Sequence, residues 1–151
     1  MSYADIQGLR LYYEVHGSGE PLILLHGAFG SVESFGENLA LLAKTRQVIA
    51  VEMQGHGRTA DIDRPMSHDA LGDDIAALIT HLGFDKADVM GFSFGAAVAT
   101  RAAIRHPERI RKLVIVSTVF SRDGWFPEVR ARFDAFGPQL ASMMKQSPVY
   151  S

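Results

Sequence analysis

Apolar residues in this chain fall into short continuous runs separated by stretches where they recur every three or four positions. LRLYYEVHG, Leu9 to Gly17, instead alternates apolar with polar residues and closes on GSGE, which predicts a half-exposed strand and a turn. PLILLHG, Pro21 to Gly27, is an unbroken apolar run ending in glycine, the pattern of a strand buried on both faces. From Ser31 to Lys44, Val32, Phe35, Leu39 and Leu42 recur at helical spacing, with Ser31 placed to cap the start.

The pattern then repeats. Val48 to Met53 predicts a second buried strand, running into the glycine-rich loop QGHGRT. SHDALGDDIAALITHLGF predicts a helix whose apolar stripe is Leu71, Ile75, Leu78, Ile79 and Leu82, with Ser67 as N-cap and Gly83 as stop. ADVMGFS reads as a strand, FGAAVATRAAIRHP as an alanine-rich helix ended by Pro107, and RIRKLVIVST as the last clear strand. Strands that alternate with helices, and are apolar on both faces, predict a parallel sheet covered by helices. After Val119 the composition changes. Aromatic and methionine residues sit on what read as two short helices, and no further strand is predicted.

Composition narrows the function classes. At 151 residues, 47% apolar and 21% charged, the chain has the size and balance of one globular domain. A net charge of −2 without a long basic run argues against nucleic acid as a partner. The absence of cysteine excludes disulfides, thiolate zinc sites and a cysteine nucleophile, and fits a cytoplasmic location. The first residues lack the basic and apolar segments of a secretory signal, and no run of about 18 apolar residues predicts a membrane span. Neither G-x-G-x-x-G after an early strand nor a phosphate-binding G-x-x-x-x-G-K-[ST] occurs, which argues against nucleotide binding.

Candidate chemistry centres on VMGFSFGAAVA, residues 89–99, where Ser93 stands in the frame G-x-S-x-G between a predicted strand and a predicted helix. A serine on so sharp a turn leaves no room for side chains two positions away on either side, which Gly91 and Gly95 satisfy. The turn also sets Ser93 at the positive end of a helix, where a developing oxyanion is stabilised. The alternative is an ordinary strand-to-helix turn with a serine cap. A second signal, HGAFGS at residues 26–31, follows another apolar strand. Parallel strands share one carboxyl edge, so loops 26–31 and 91–95 should approach each other, with the backbone N–H groups of Ala28 and Phe94 as oxyanion donors. A plain turn at His26 and Gly27 is the competing reading.

With these motifs in place, the sequence resembles the α/β-hydrolase superfamily over nearly its whole length. The resemblance rests on four motifs in order: the HG-x-x-G loop (His26 to Gly30), EMQGHGRT for the family's D-x-R-G-x-G-x-S, the elbow GFSFG, and HPERIRKLVIV for HPERV-x-x-LVL. Glu52, Gln54 and Thr59 depart from the usual Asp, Arg and Ser, all within one turn. The resemblance implies an α/β fold with a mostly parallel, doubly wound sheet, incomplete at about six strands, and the start of a helical cap. It also implies a hydrolase acting on a carboxylic ester or related acyl (or C–C) bond through Ser93, with no cofactor and no metal. Serine at the elbow points away from the aspartate-dependent haloalkane dehalogenases and epoxide hydrolases. Phe29, Phe92 and Trp125 are candidate substrate contacts, with core packing as the alternative.

The family's triad runs Ser, then Asp or Glu, then His. After Ser93 the only histidine is His106, which precedes every downstream acid. It also lies 13 residues along the same helix, about 20 Å away at 1.5 Å per residue. It is therefore not the base, and His16, His26, His56, His68 and His81 read better as structural or solvated. The expectation is an N-terminal half: 1–119 as the first part of the core, 120–151 as the beginning of a cap, and the C-terminal core strands absent from the chain. A sheet ending at the 113–117 strand would expose an apolar edge. The cap segment adds Trp125, Phe126, Phe133, Phe136, Met143 and Met144. A second polypeptide completing the fold is expected. The alternative is a catalytically incomplete fragment with a binding or structural role.

Overall fold

A computed structural model of the chain describes residues 2–119 and 121–135. The chain divides into two compact units, Met1–Thr118 and Val119–Ser151.

The first unit is a six-stranded, mostly parallel sheet flanked by helices. Its strands are β1 (Ser2–Ile6), β2 (Leu9–His16), β3 (Pro21–Leu25), β4 (Gln47–Glu52), β5 (Ala87–Phe92) and β6 (Ile110–Val116), in the spatial order β1-β2-β4-β3-β5-β6. β1, β2 and β4 pair antiparallel, whereas β4, β3, β5 and β6 run parallel. The carboxyl ends of those four strands consequently share one edge, with the loops after β3, β4, β5 and β6 along it. That is where an open α/β sheet binds ligands.

Burial on both faces explains the unbroken apolar strands. Ile23, Leu25, Ile49, Val51 and Val89 pack against the stripe of α2 (His68–His81) and the small residues of α3 (Phe94–Arg105). Leu22, Leu24 and Val48 pack on the opposite face against Phe35, Leu39 and Leu42. Fully burying each large aliphatic side chain contributes about 1.5–3 kcal/mol, so this double-sided core holds the sheet together. The helix ends follow the caps read from sequence. Ser67 Oγ accepts from Ala70 N–H at 3.1 Å, and Gly83 takes φ +80° just past the end of α2.

Two elements differ from expectation. The single helix predicted over 31–44 is a 3₁₀ turn (Val32–Phe35) followed by α1 (Glu37–Ala43). Gly36 breaks it with φ +51°, yet Phe35, Leu39 and Leu42 still meet one cluster, which is why the spacing looked continuous. β1 was not anticipated. It pairs with β2 through a tight hairpin in which Gln7 (φ +50°) and Gly8 (φ +82°) both adopt left-handed geometry.

β6 is one edge strand of the described sheet, and its middle is open: Leu113, Val114 and Ile115 are 37%, 44% and 40% exposed. At the amino end of the parallel strands, the Asp88 carboxylate is gripped by Arg111 (2.8 and 3.0 Å) and by Arg46. Arg111 above all, then Arg46, hold its pKa down at about 2 against the cost of burial.

In the second unit, a 3₁₀ turn (Arg122–Gly124) leads to α4 (Pro127–Asp134), and Arg130 Nη1 reaches Asp123 Oδ1 at 3.3 Å. Trp125 and Phe126 are exposed. Phe120, Phe136, Met143 and Met144 lie outside the described residues. Among the described residues, no helix is long and apolar enough to cross a membrane.

Candidate active site

Ser93 is the single residue between β5 and α3, and its backbone sits at φ +51°, ψ −111°. A residue with a β-carbon pays a steric penalty there, so the turn is strained. Its neighbours show why glycine flanks it. A β-carbon on Gly91 would overlap the Gly95 carbonyl, and one on Gly95 would overlap the carbonyls of His26 and Leu25. The same contacts bring the loops after β3 and β5 together, as their place on one sheet edge required. A β-carbon at Gly27 would lie 3.1 Å from the Phe92 ring and 3.6 Å from Ser93 Cβ.

The Ser93 backbone is fully engaged. Its N–H donates to the Val116 carbonyl at 2.9 Å, and its carbonyl accepts from Ala96 and Ala97 N–H at 3.1 and 3.2 Å. The half-buried Oγ, in contrast, has no hydrogen-bond partner among the described residues. The same is true of the N–H groups of Ala28 and Phe94. Ala28 is exposed, and Phe94 is the first residue of α3, where backbone N–H groups point outward with the helix dipole behind them. A hydroxyl and two unpaired N–H donors therefore occupy one corner of the sheet edge.

His26 anchors the start of the first loop. It is buried, its Nδ1 donates to the Gly27 carbonyl at 2.7 Å, and its Nε2 accepts from Met53 N–H at 3.3 Å. Acceptance at Nε2 requires the neutral ring, protonated on Nδ1. Burial is the main cause that lowers its pKa, and the nearby His56 adds to it. The ring of His56 lies 5.0 Å from that of His26 and stacks on Phe94 at 5.8 Å, while its Nδ1 donates to the Gln54 carbonyl. His68 meets Phe94 at 5.2 Å. His106 is engaged elsewhere, its Nε2 2.7 Å from Asp73 Oδ1 at the far end of α3.

The three positions that departed from the family motif are buried and interlocked. Thr59 Oγ1 donates to the Glu52 carbonyl at 2.6 Å and accepts from Tyr12 N–H at 2.9 Å. Gln54 donates to Asp61 Oδ1 and accepts from Arg64, which also grips buried Asp74 at 2.7 and 3.0 Å. Glu52, fully excluded from solvent, uses both carboxylate oxygens. Oε1 accepts from Val32 N–H at 3.1 Å and Arg58 Nη1 at 2.6 Å, and Oε2 from Arg58 N–H. Gly57 wraps over this carboxylate so closely that a β-carbon there would overlap it. Arg58 also pairs with Glu33, holding that carboxyl near 2, and lies 4.7 Å over the Tyr12 ring. Nothing in the sequence marked this network beyond the substitutions themselves, because its partners are up to 47 residues apart.

Of the candidate substrate contacts, Phe29 is 59% and Phe92 50% exposed, so neither is a core residue. Trp125 belongs to the second unit. Beside the two loops, a cavity of about 640 Å³ is lined by Leu24, Gly27, Met90, Phe92 and Val116 among others. Among the described residues, no group of three or more His, Asp or Glu is arranged to hold a metal ion.

Known proteins share this architecture. A family described as the alpha/beta hydrolase fold matches residues 20–146. The 2-hydroxymuconate semialdehyde hydrolase of Pseudomonas sp. (strain CF600) is 36% identical over 115 residues, 74% of this chain and 41% of that protein. Among solved structures, the epoxide hydrolase CorEH superposes with a TM-score of 0.83 at 29% identity, over 97% of this chain and 55% of its own. Est816, described as an N-acyl homoserine lactone degrading enzyme, superposes at 0.77 with 28% identity, over 88% and 52%. The chain spans about half, or less, of the length of the curated relatives it matches.

Proposed function

Because this chain belongs to the alpha/beta hydrolase fold family, we propose that it carries the nucleophile and oxyanion site of a serine hydrolase acting on a carboxylic ester or a related acyl or C–C bond. One observation carries the reading. A strained serine with a free hydroxyl sits beside two N–H groups, of Ala28 and Phe94, that lack acceptors among the described residues. The Ser93 Oγ–H gives its proton to a histidine, and Oγ bonds to the carbonyl carbon. The carbonyl oxygen becomes an oxyanion that Ala28 and Phe94 N–H hold. Collapse expels the leaving group, which takes the proton back from histidine. Water then cleaves the acyl-serine and restores the hydroxyl. Phe29 and Phe92 are proposed to contact the apolar part of the substrate. The relatives' named substrates, a semialdehyde, an epoxide and a lactone, are too diverse to select one.

The histidine and its acid come, on this proposal, from a second polypeptide that pairs with β6 and completes the sheet. Two observations support this: Ser93 Oγ has no hydrogen-bonded base among the described residues, and the middle of β6 is open. The same observations favour a second reading, a fragment that binds a partner and hydrolyses nothing. A fluorophosphonate probe decides between them, because it bonds only to an activated serine. Labelling of Ser93 that is lost in Ser93→Ala is the outcome expected, with an intact-mass spectrum showing the second species. A lone 16.5 kDa species that resists labelling would favour the fragment.

A further inference from the structure

The loop His26–Gly30 carries Ala28, one of the two proposed oxyanion donors, and it is clamped at both ends by consecutive residues of one strand end. At its start, His26 Nε2 accepts from Met53 N–H. Just past its end, Val32 N–H donates to Glu52, and Arg58 bridges the carboxylates of Glu52 and Glu33. Between the clamps lie five residues, two of them glycine, with Phe29 at φ +61°. Their internal hydrogen bonds among the described residues are Gly30 N–H and His26 Nδ1, both to the Gly27 carbonyl. Ser31 adds bonds to Ser34 Oγ and to the Glu33 carboxylate, on the side of the second clamp, so the middle of the loop takes its course from where its ends are held.

From this geometry we infer that Glu52 and Arg58 are positioning residues: by fixing the far end of the loop they aim the Ala28 N–H at the substrate oxygen. The inference rests on the serine-hydrolase reading above. A buried ion pair is a weak source of stability, since an apolar replacement of the same shape often serves as well. Here every contact of the acid is directional instead. Glutamine at 52 would turn an NH₂ group toward either Val32 N–H or Arg58 N–H, donor facing donor, and push one clamp away. Aspartate keeps the charge and both acceptor oxygens.

The test compares Glu52→Gln, Glu52→Asp and Ser93→Ala in the completed enzyme, by the rate of fluorophosphonate labelling and by hydrolysis of p-nitrophenyl acetate. Glu52→Gln is expected to label and turn over about 10- to 100-fold more slowly with KM within about twofold, the range for a misaimed oxyanion donor. Glu52→Asp is expected to recover most of that loss. A Glu52→Gln enzyme within about twofold of the parent would overturn the inference and leave the serine-hydrolase reading standing. So would equal losses in both variants that track a common fall in melting temperature. A parent that labels no faster than Ser93→Ala overturns both.

Discussion

At the scale of single residues, the site is built from groups that cost stability where they stand. Ser93 holds a left-handed φ that only glycine adopts freely. Ser93→Gly is therefore expected to raise stability by about 1 kcal/mol in urea denaturation while abolishing labelling, the trade of stability against a strained functional residue. His26 makes the complementary case. Its folded pKa lies below the ordinary 6.5, so the unfolded chain binds the proton first as the solution is acidified. Its contribution is fully present above about pH 6.5 and declines as pH falls through that value toward the depressed pKa. Urea midpoints measured from pH 8 to pH 5 should fall across this window, and the slope should shrink in His26→Gln.

At the scale of elements, long-range polar contacts decide the course of the loops while apolar periodicity decides the strands and helices. The loop after β4 is fastened to α2 by Arg64 and the buried Asp74. Arg64→Met leaves that carboxylate uncompensated and is expected to cost about 3 kcal/mol in chemical denaturation. The double variant Arg64→Met, Asp74→Leu should lose less than the single one. This division also explains what was legible in the sequence. Five of the six strands and α2 and α3 follow from runs and spacings that any local window contains. The break at Gly36 was hidden because apolar positions on either side meet one cluster. β1 was missed because its hairpin places Gln7 at a conformation usually marked by Asn or Gly. The elbow was legible because its constraint is steric and local. The clamps of His26 and Glu52 were not, since each joins side chains to backbone N–H groups 20 or more positions away.

At the scale of the whole molecule, the sheet is well covered in the middle and bare at one side. Leu113, Val114 and Ile115 leave apolar surface on a strand that, among the described residues, pairs on one side alone. Purified without a completing polypeptide, the chain is expected to elute from size exclusion as species larger than 16.5 kDa. Val114→Lys should shift that profile toward the monomer. A monomeric parent with a cooperative thermal transition would count against a second polypeptide.

The hydrogen bond from Ser93 N–H to the Val116 carbonyl ties the nucleophile to the end of this same open strand. A strand that pairs with β6 and shifts it would move the carbonyl that holds the serine's amide, and the two events would then be energetically coupled. Linkage makes such coupling reciprocal: if an added strand tightens binding of a boronic acid at Ser93 by some factor, the boronic acid tightens docking of that strand by the same factor. A ligand no larger than a substrate would then act as a glue between two polypeptides.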